Sequence, residues 1–177
     1  MNSICTELET AVRNNESLLR NGGKRWGIIA AIYIGPTRLE PMVSVPDVQA
    51  IAGAGLKGDR YCREVGSFSQ KSPSNQVTLI EAEALEAAQR DYKFEIAAQE
   101  SRRNLLTCGM ALNHLVGREF QIGHVRLRGL RLCEPCGHLE KITGKQMIKG
   151  LRHRGGLRAE ILSDGVIKVG EIITEAN

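Results

Sequence analysis

Two cysteines in a tight turn, Cys133-Glu134-Pro135-Cys136, carry the densest chemistry in this 177-residue chain. A Cys-x-x-Cys turn can ligate a metal, cycle through a redox disulfide or present one activated thiolate, and two half-buried thiols can equally be structural. A structural zinc would need a second ligand pair from His138, His153 or His124, none at finger spacing, so no structural zinc is expected. A thioredoxin-type site calls for the motif to open a helix after a parallel strand in an α/β pattern, which the surrounding sequence does not show. Arg126, Arg128 and Arg131 precede the turn, and Arg152, His153, Arg154 and Arg158 follow it. Such a field favours a thiolate, which is both a nucleophile for sulfur transfer and a ligand for a soft metal.

Two further segments could bind anions. Glu100-Ser101-Arg102-Arg103-Asn104 offers two guanidinium forks and an amide, suited to phosphate or carboxylate or else simply solvated. Adjacent residues on an extended chain point to opposite faces, so Arg103 with Asn104 is expected at a pocket rim and Arg102 as a brace. The loop Gly53-Ala54-Gly55-Leu56-Lys57-Gly58-Asp59-Arg60 fits neither a P-loop nor a dinucleotide fingerprint, and a turn needing positive φ accounts for its glycines. Asp59 is expected to fix a neighbouring arginine rather than act as an acid.

The charge distribution sharpens this picture. The net charge is +4, yet Ser101 to Arg158 holds 12 Lys/Arg against 3 Asp/Glu. The C-terminal half is therefore a field for anions or a solvated basic face. Aromatics are only 4% of residues, too few for the stacking platforms of single-stranded nucleic acid, so nucleic acid is not an expected partner. Five cysteines (Cys5, Cys62, Cys108, Cys133 and Cys136) are an odd number, which leaves at least one thiol free. The longest apolar run, Gly27 to Gly35, is about half a membrane span, and the N-terminus lacks a signal pattern. The sequence reads as cytoplasmic, with no membrane association.

The elements that must position these residues are short. Apolar periodicity predicts an amphipathic helix from Asn2 to Arg20, an N-terminal extension over 1–24 ahead of a domain over 25–177. Strands are predicted over Arg25 to Ile34, Met42 to Val45, Gln76 to Ile80, Glu119 to Ile122, Val125 to Leu132, Leu157 to Leu162, Val166 to Val169 and Glu171 to Thr174. Asp164-Gly165 reads as a hairpin turn between two of them. Helical stretches are predicted over Glu81 to Arg90, Ala111 to Val116 and Leu139 to Ile142. So many short strands point to a mainly β fold with inserted helices, closed into a β-barrel because closure removes exposed edges.

An ordered series of motifs then resembles the MOSC domain, named for the C-terminal domain of molybdenum cofactor sulfurases. The series comprises Gly55 to Tyr61, Gln76 to Glu81, Ser101 to Leu105, Leu112 to Gly117, Leu132 to Cys136, His153 to Ala159 and Val169 to Glu171. The resemblance runs from about Gly27 to Ile173. It implies a β-barrel and an essential cysteine that either carries a persulfide or binds the molybdenum of a molybdopterin-type cofactor. That cysteine matches Cys136, with Cys133 as the fallback. Arg102, Arg103 and Asn104, with Lys57, Gly58, Asp59, Arg154 and Arg158, are the residues the resemblance and the basic field assign to an anionic pterin. Two activities follow: a molybdenum-dependent reductase of N-hydroxylated compounds, or a metal-free sulfur carrier working through a persulfide. The sulfurase's pyridoxal-phosphate domain is not in this sequence, so pyridoxal phosphate is not expected. A separate electron-transfer protein or cysteine desulfurase would be the partner.

Overall fold

The computed structural model describes residues 26–62 and 72–176; the helix expected over Asn2 to Arg20 lies outside them. Seven strands close a barrel. These are β1 (Trp26–Ile34), β5 (Val77–Glu81), β6 (Leu105–Cys108), β7 (Glu119–Ile122), β8 (Val125–Leu132), β9 (Leu157–Ile161) and β11 (Ile172–Glu175). Their order is β11-β7-β8-β9-β5-β6-β1, and β1 pairs back onto β11. The nine-residue β1 divides one edge between two partners. Its start pairs with β11 (Gly27 opposite Ile173) and its end with β2 (Val43–Val45; Tyr33 opposite Ser44). A three-stranded sheet of β10 (Gly165–Lys168), β3 (Asp47–Ile51) and β4 (Gly55–Leu56) packs alongside.

Pleat alternation sorts the apolar residues into two cores. Ile29, Leu79, Leu105, Leu127, Leu157 and Phe120 fill the barrel interior, while their neighbours Ile28, Ile80 and Leu106 face outward. A register shift between Ile29 and Ala31 turns Ile32 inward as well, as a β-bulge does by inserting one residue. The outward residues are covered by α1 (Ala82–Tyr92), α2 (Gly137–Thr143) and α3 (Met147–Leu151) through Leu85, Ala88, Leu139, Met147 and Leu151. The α1 crossover is what allows β5 and β6 to run parallel, since parallel neighbours cannot be joined by a tight hairpin.

The described residues contain eleven strands where eight were expected, and one expected hairpin is absent. β10 does not fold back on β9, because both edges of β9 are already taken by β5 and β8. The chain instead changes sheets at Asp164, whose Oδ1 accepts the Ala52 N–H at 2.7 Å, and β10 pairs with β3. No helix among the described residues is long and apolar enough to cross a membrane.

One rim of the barrel is stapled by Asn104, which is 3% exposed. Its Oδ1 accepts from the Thr78 backbone N–H (3.1 Å) and hydroxyl (2.8 Å), and its Nδ2 donates to the Tyr33 carbonyl (3.2 Å) and Asp59 Oδ2 (3.1 Å). One side chain thereby ties β5, β6, the end of β1 and the loop after β4. Asn104→Ala strands several buried polar groups, so it should lower unfolding stability by about 2–4 kcal/mol in denaturant titrations. Asn113→Ala, which removes one exposed bond to the His153 carbonyl, should cost under about 1 kcal/mol. Similar losses for the two variants would contradict the staple.

Candidate functional site

Antiparallel pairing places the C-terminal ends of β1 and β8 beside the N-terminal ends of β6 and β9, and the chemistry-bearing loops gather at that rim. A cleft there is lined by Cys136, Cys133, Glu134 and His138, by Thr78 and Tyr61, and by the guanidinium-bearing side chains of Arg38, Arg60, Arg102, Arg103 and Arg158. Cys136 is exposed and Cys133 is buried, and both are free thiols. Cys108 is taken up in a disulfide. Cys136 ends its strand exit in extended backbone (φ −137°, ψ 164°) and caps α2, so the thiol stands where β8 turns into the helix.

Arg103 fastens that turn. It is 7% exposed, and its Nη2 donates to the Cys133 carbonyl (2.6 Å), its Nε to Gly155 O (2.9 Å) and its Nη1 to Ser101 O (2.9 Å). The Cys133 N–H in turn donates to Gly156 O (2.7 Å), extending the β8–β9 ladder into the turn. Gly155 is required for this packing: a Cβ there would sit 2.5 Å from the Cys133 carbonyl oxygen.

Arg102 behaves differently. It takes a left-handed conformation (φ 58°), and its Nη1 and Nη2 donate to Glu40 O (2.8 Å) and Arg38 O (3.2 Å), holding the 38–40 loop over the cleft. Desolvation, then the nearby Arg60 charge, pull its pKa below the ordinary arginine value. An anion in the cleft would offset the repulsion between the two guanidiniums. The two arginines thus have different environments, but both line the cleft and both brace its rim, so the expected split of one pocket residue and one brace does not appear: Arg102 is a helix-capping residue, not a strand residue, and Asn104 does not line the cleft.

Arg60, which was not among the expected anion ligands, also lines the cleft. It is 5% exposed, its Nη1 donates to Met42 Sδ at 3.3 Å, and it forms an ion pair with Asp59 Oδ2 at 3.8 Å. Its guanidinium lies 4.7 Å from the centre of the Tyr61 ring. Asp59 is 1% exposed and accepts from the N–H groups of Gly35 (2.8 Å) and Tyr61 (3.0 Å) and from Asn104, which is a fixing role and not that of an acid. A Cβ on Gly35 would overlap the Arg60 guanidinium, so glycine at 35 is the condition for that placement. The signal was present in the sequence as the Gly35-Pro36 strand stop and the Asp59-Arg60 pair.

Other expected residues lie elsewhere. Lys57 is exposed and lines a separate depression with Asp47, Gln49 and Val166, because its N–H is bonded to Gln49 O on β3. Gly58, at φ 89°, forms the turn beside Ile34 and does not line the cleft. Arg154 is held by Asp91 (3.1 Å) in a basin beside Tyr92 and Arg152. Arg158 does line the cleft, its Nη1 donating to Ser74 O and Asn75 Oδ1 at 3.0 and 3.1 Å.

A family model for the MOSC domain matches residues 68–174. The chain belongs to the MOSC domain family. No curated protein matches its sequence significantly. Among solved structures, this MOSC chain is similar to the YuaD protein of Bacillus subtilis, with a TM-score of 0.73, 14% identity and coverage of 87% of this chain and 98% of that one. It is also similar to YiiM of Geobacillus stearothermophilus (0.64, 14%, 85% and 75%) and YiiM of Escherichia coli (0.63, 15%, 86% and 70%). At these identities the likeness is one of fold, and it agrees with the closed barrel of this MOSC domain.

The burial contrast makes a test. Iodoacetamide should modify Cys136 in the native MOSC protein at least about tenfold faster than Cys133, read by peptide mass spectrometry, because only an accessible thiolate is attacked. Arg103→Leu should narrow that gap and lose about 2–4 kcal/mol of stability, whereas Arg102→Ala should leave both labelling rates unchanged. Equal native labelling of the two cysteines, or equal effects of the two arginine variants, would contradict this division of roles.

Proposed function

We propose that this MOSC chain binds a molybdenum-pterin cofactor in the cleft, with Cys136 as the thiolate ligand, and reduces N-hydroxylated compounds. The observation that supports it is an exposed thiol opening on a cleft walled by five arginines, two of them buried, Arg60 in an ion pair with Asp59 and Arg103 donating to backbone carbonyls. The donor set fits the group: a thiolate suits a soft metal, and guanidinium forks suit a phosphate. When bound, the metal would supply two-electron chemistry with removal of an oxygen atom. The chain's own residues would do the rest. Arg60, Arg102 and Arg158 would hold the phosphate charge, and Arg103 would keep the Cys133–Cys136 turn in place so that the Cys136 sulfur faces the cleft. Asp59 and Asn104 would keep Arg60 aimed inward. Glu134 accepts the His153 N–H at 3.0 Å and so fixes the outer lip.

The arginine wall is what favours this reading over a persulfide relay, since a sulfur passed between proteins does not call for several phosphate-type ligands. Wild type, Cys136→Ser and Arg60→Gln should be purified from a host that makes the pterin, and their molybdenum and pterin measured. Cys136→Ser should keep less than about a tenth of the wild-type metal and lose reduction of an N-hydroxylated base with it, because a serine oxygen is a harder and far less acidic ligand. Arg60→Gln should lose pterin and metal together. Full metal content in Cys136→Ser would sink the assignment.

A further inference from the structure

A broad depression of about 620 Å³ is lined by residues of α1, α2, α3 and the turn that leads into β9. Its permanent cations are Lys149, Arg152 and Arg154, set against the carboxylate of Glu140. The depression adjoins the Cys136 cleft across a lip of two residues, since Glu134 lines the cleft and His153 lines the depression. Glu134 Oε2 accepts the His153 N–H at 3.0 Å, and its Oε1 stands 3.4 Å from His153 Nδ1.

Nearby carboxylates leave much of this charge uncancelled. Glu140 turns to the backbone, where its Oε1 accepts the Ile148 N–H at 3.0 Å. Asp91 pairs with Arg154 at 3.1 Å and with Arg90 at 2.9 Å, so one carboxylate is divided between two guanidiniums. Lys149 is exposed with its Nζ 5.5 Å from the centre of the Tyr92 ring, a contact that keeps the ammonium charged. Arg152 is exposed, and no carboxylate among the described residues pairs with its guanidinium. With Arg90 and Asp91 included, four cations face two carboxylates, and the basin stays positive.

The lining chooses among anions. Lys149 and Arg152 are exposed side chains of a helix and a turn, not walls of a closed pocket, which suits a row of carboxylates better than one small anion. The Lys149 ammonium sits over the ring of Tyr92, the aromatic of the lining, so nucleic-acid bases find no free stacking platform. Ile148 is half-buried and offers no side chain to insert into a lipid surface. We propose that this basin is a docking surface for a carboxylate-rich segment of a partner protein, which it seats beside the Cys136 cleft. The inference rests on charge and placement, and it holds whether Cys136 carries metal or sulfur. Excess charge at such a rim steers an oppositely charged protein to it.

A fluorescein-labelled decaglutamate peptide stands in for the acidic segment, its binding to the full chain read by anisotropy at low salt. Lys149→Glu combined with Arg152→Glu should weaken that binding at least about tenfold, because two attractive contacts become repulsive. Both side chains are exposed, so circular dichroism should show the fold intact. The milder Arg152→Gln should weaken binding about threefold on its own. Arg60→Gln in the cleft and Lys168→Glu on β10 should each change it by less than about twofold. No binding of the peptide, equal binding by the charge-reversed variant, or loss of binding in Arg60→Gln instead would overturn the basin. Tighter binding of an oligothymidylate of equal length would overturn it too. The metal content of Cys136→Ser does not bear on any of these outcomes, so the docking surface and the cofactor reading fail separately.

Discussion

Arg103 is a buried guanidinium satisfied by three backbone carbonyls, and no carboxylate among the described residues pairs with it. Carbonyl dipoles can solvate such a cation without cancelling its charge, so the rim it holds together also carries positive potential. The arrangement couples architecture to chemistry. The interaction that fixes the Cys133–Cys136 turn to the start of β9 is the same one that makes the neighbouring cleft attractive to an anion. Arg60 is a second buried guanidinium on the cleft, ion-paired with Asp59, whose oxygens also accept from the Gly35 and Tyr61 N–H groups and from Asn104.

Barrel closure explains why these groups meet. In a closed sheet the ends of strands far apart in sequence share a rim, and here the exits of β1 and β8 adjoin the entrances of β6 and β9. Gly35, Arg60, Arg102, Arg103 and Cys136 come from four separate connections, yet each is one or a few residues from a strand or a strand-bonded turn. The rigid part is the ladder, and the loops need only short reach. The helices α1 to α3 cover the outer face beside the site, which is why Ile142 and Leu139 of that layer also border the cleft.

Much of this was legible in the chain. Alternation over Val125 to Leu132 and Glu119 to Ile122 matched β8 and β7 to the residue, and the motif series led to the family. What was not legible depends on long-range pairing. Asp47–Ile51 is a strand only because β10 and β4 flank it, and its Asp and Gln suggest loop. Met147–Leu151 follows a glycine and is helical because its apolar face covers α1. Alternation along an extended chain would send only one of the adjacent arginines to the cleft, but both line it, since the left-handed turn at Arg102 has no composition signal. Lys57 and Arg154 looked like anion ligands because sequence counts charge without direction, and the structure turns both away from the cleft.

If Cys136 and the arginine wall serve one ligand, a molybdenum-bearing pterin, native mass spectrometry of the intact protein from a pterin-making host should detect it directly. The expected spectrum contains a species heavier than the bare chain by the whole cofactor, stripped by mild collisional heating to an unmodified polypeptide. A bare chain carrying one additional sulfur atom on Cys136, with no cofactor species at any ionic strength, would contradict that assignment and leave the sulfur carrier in its place.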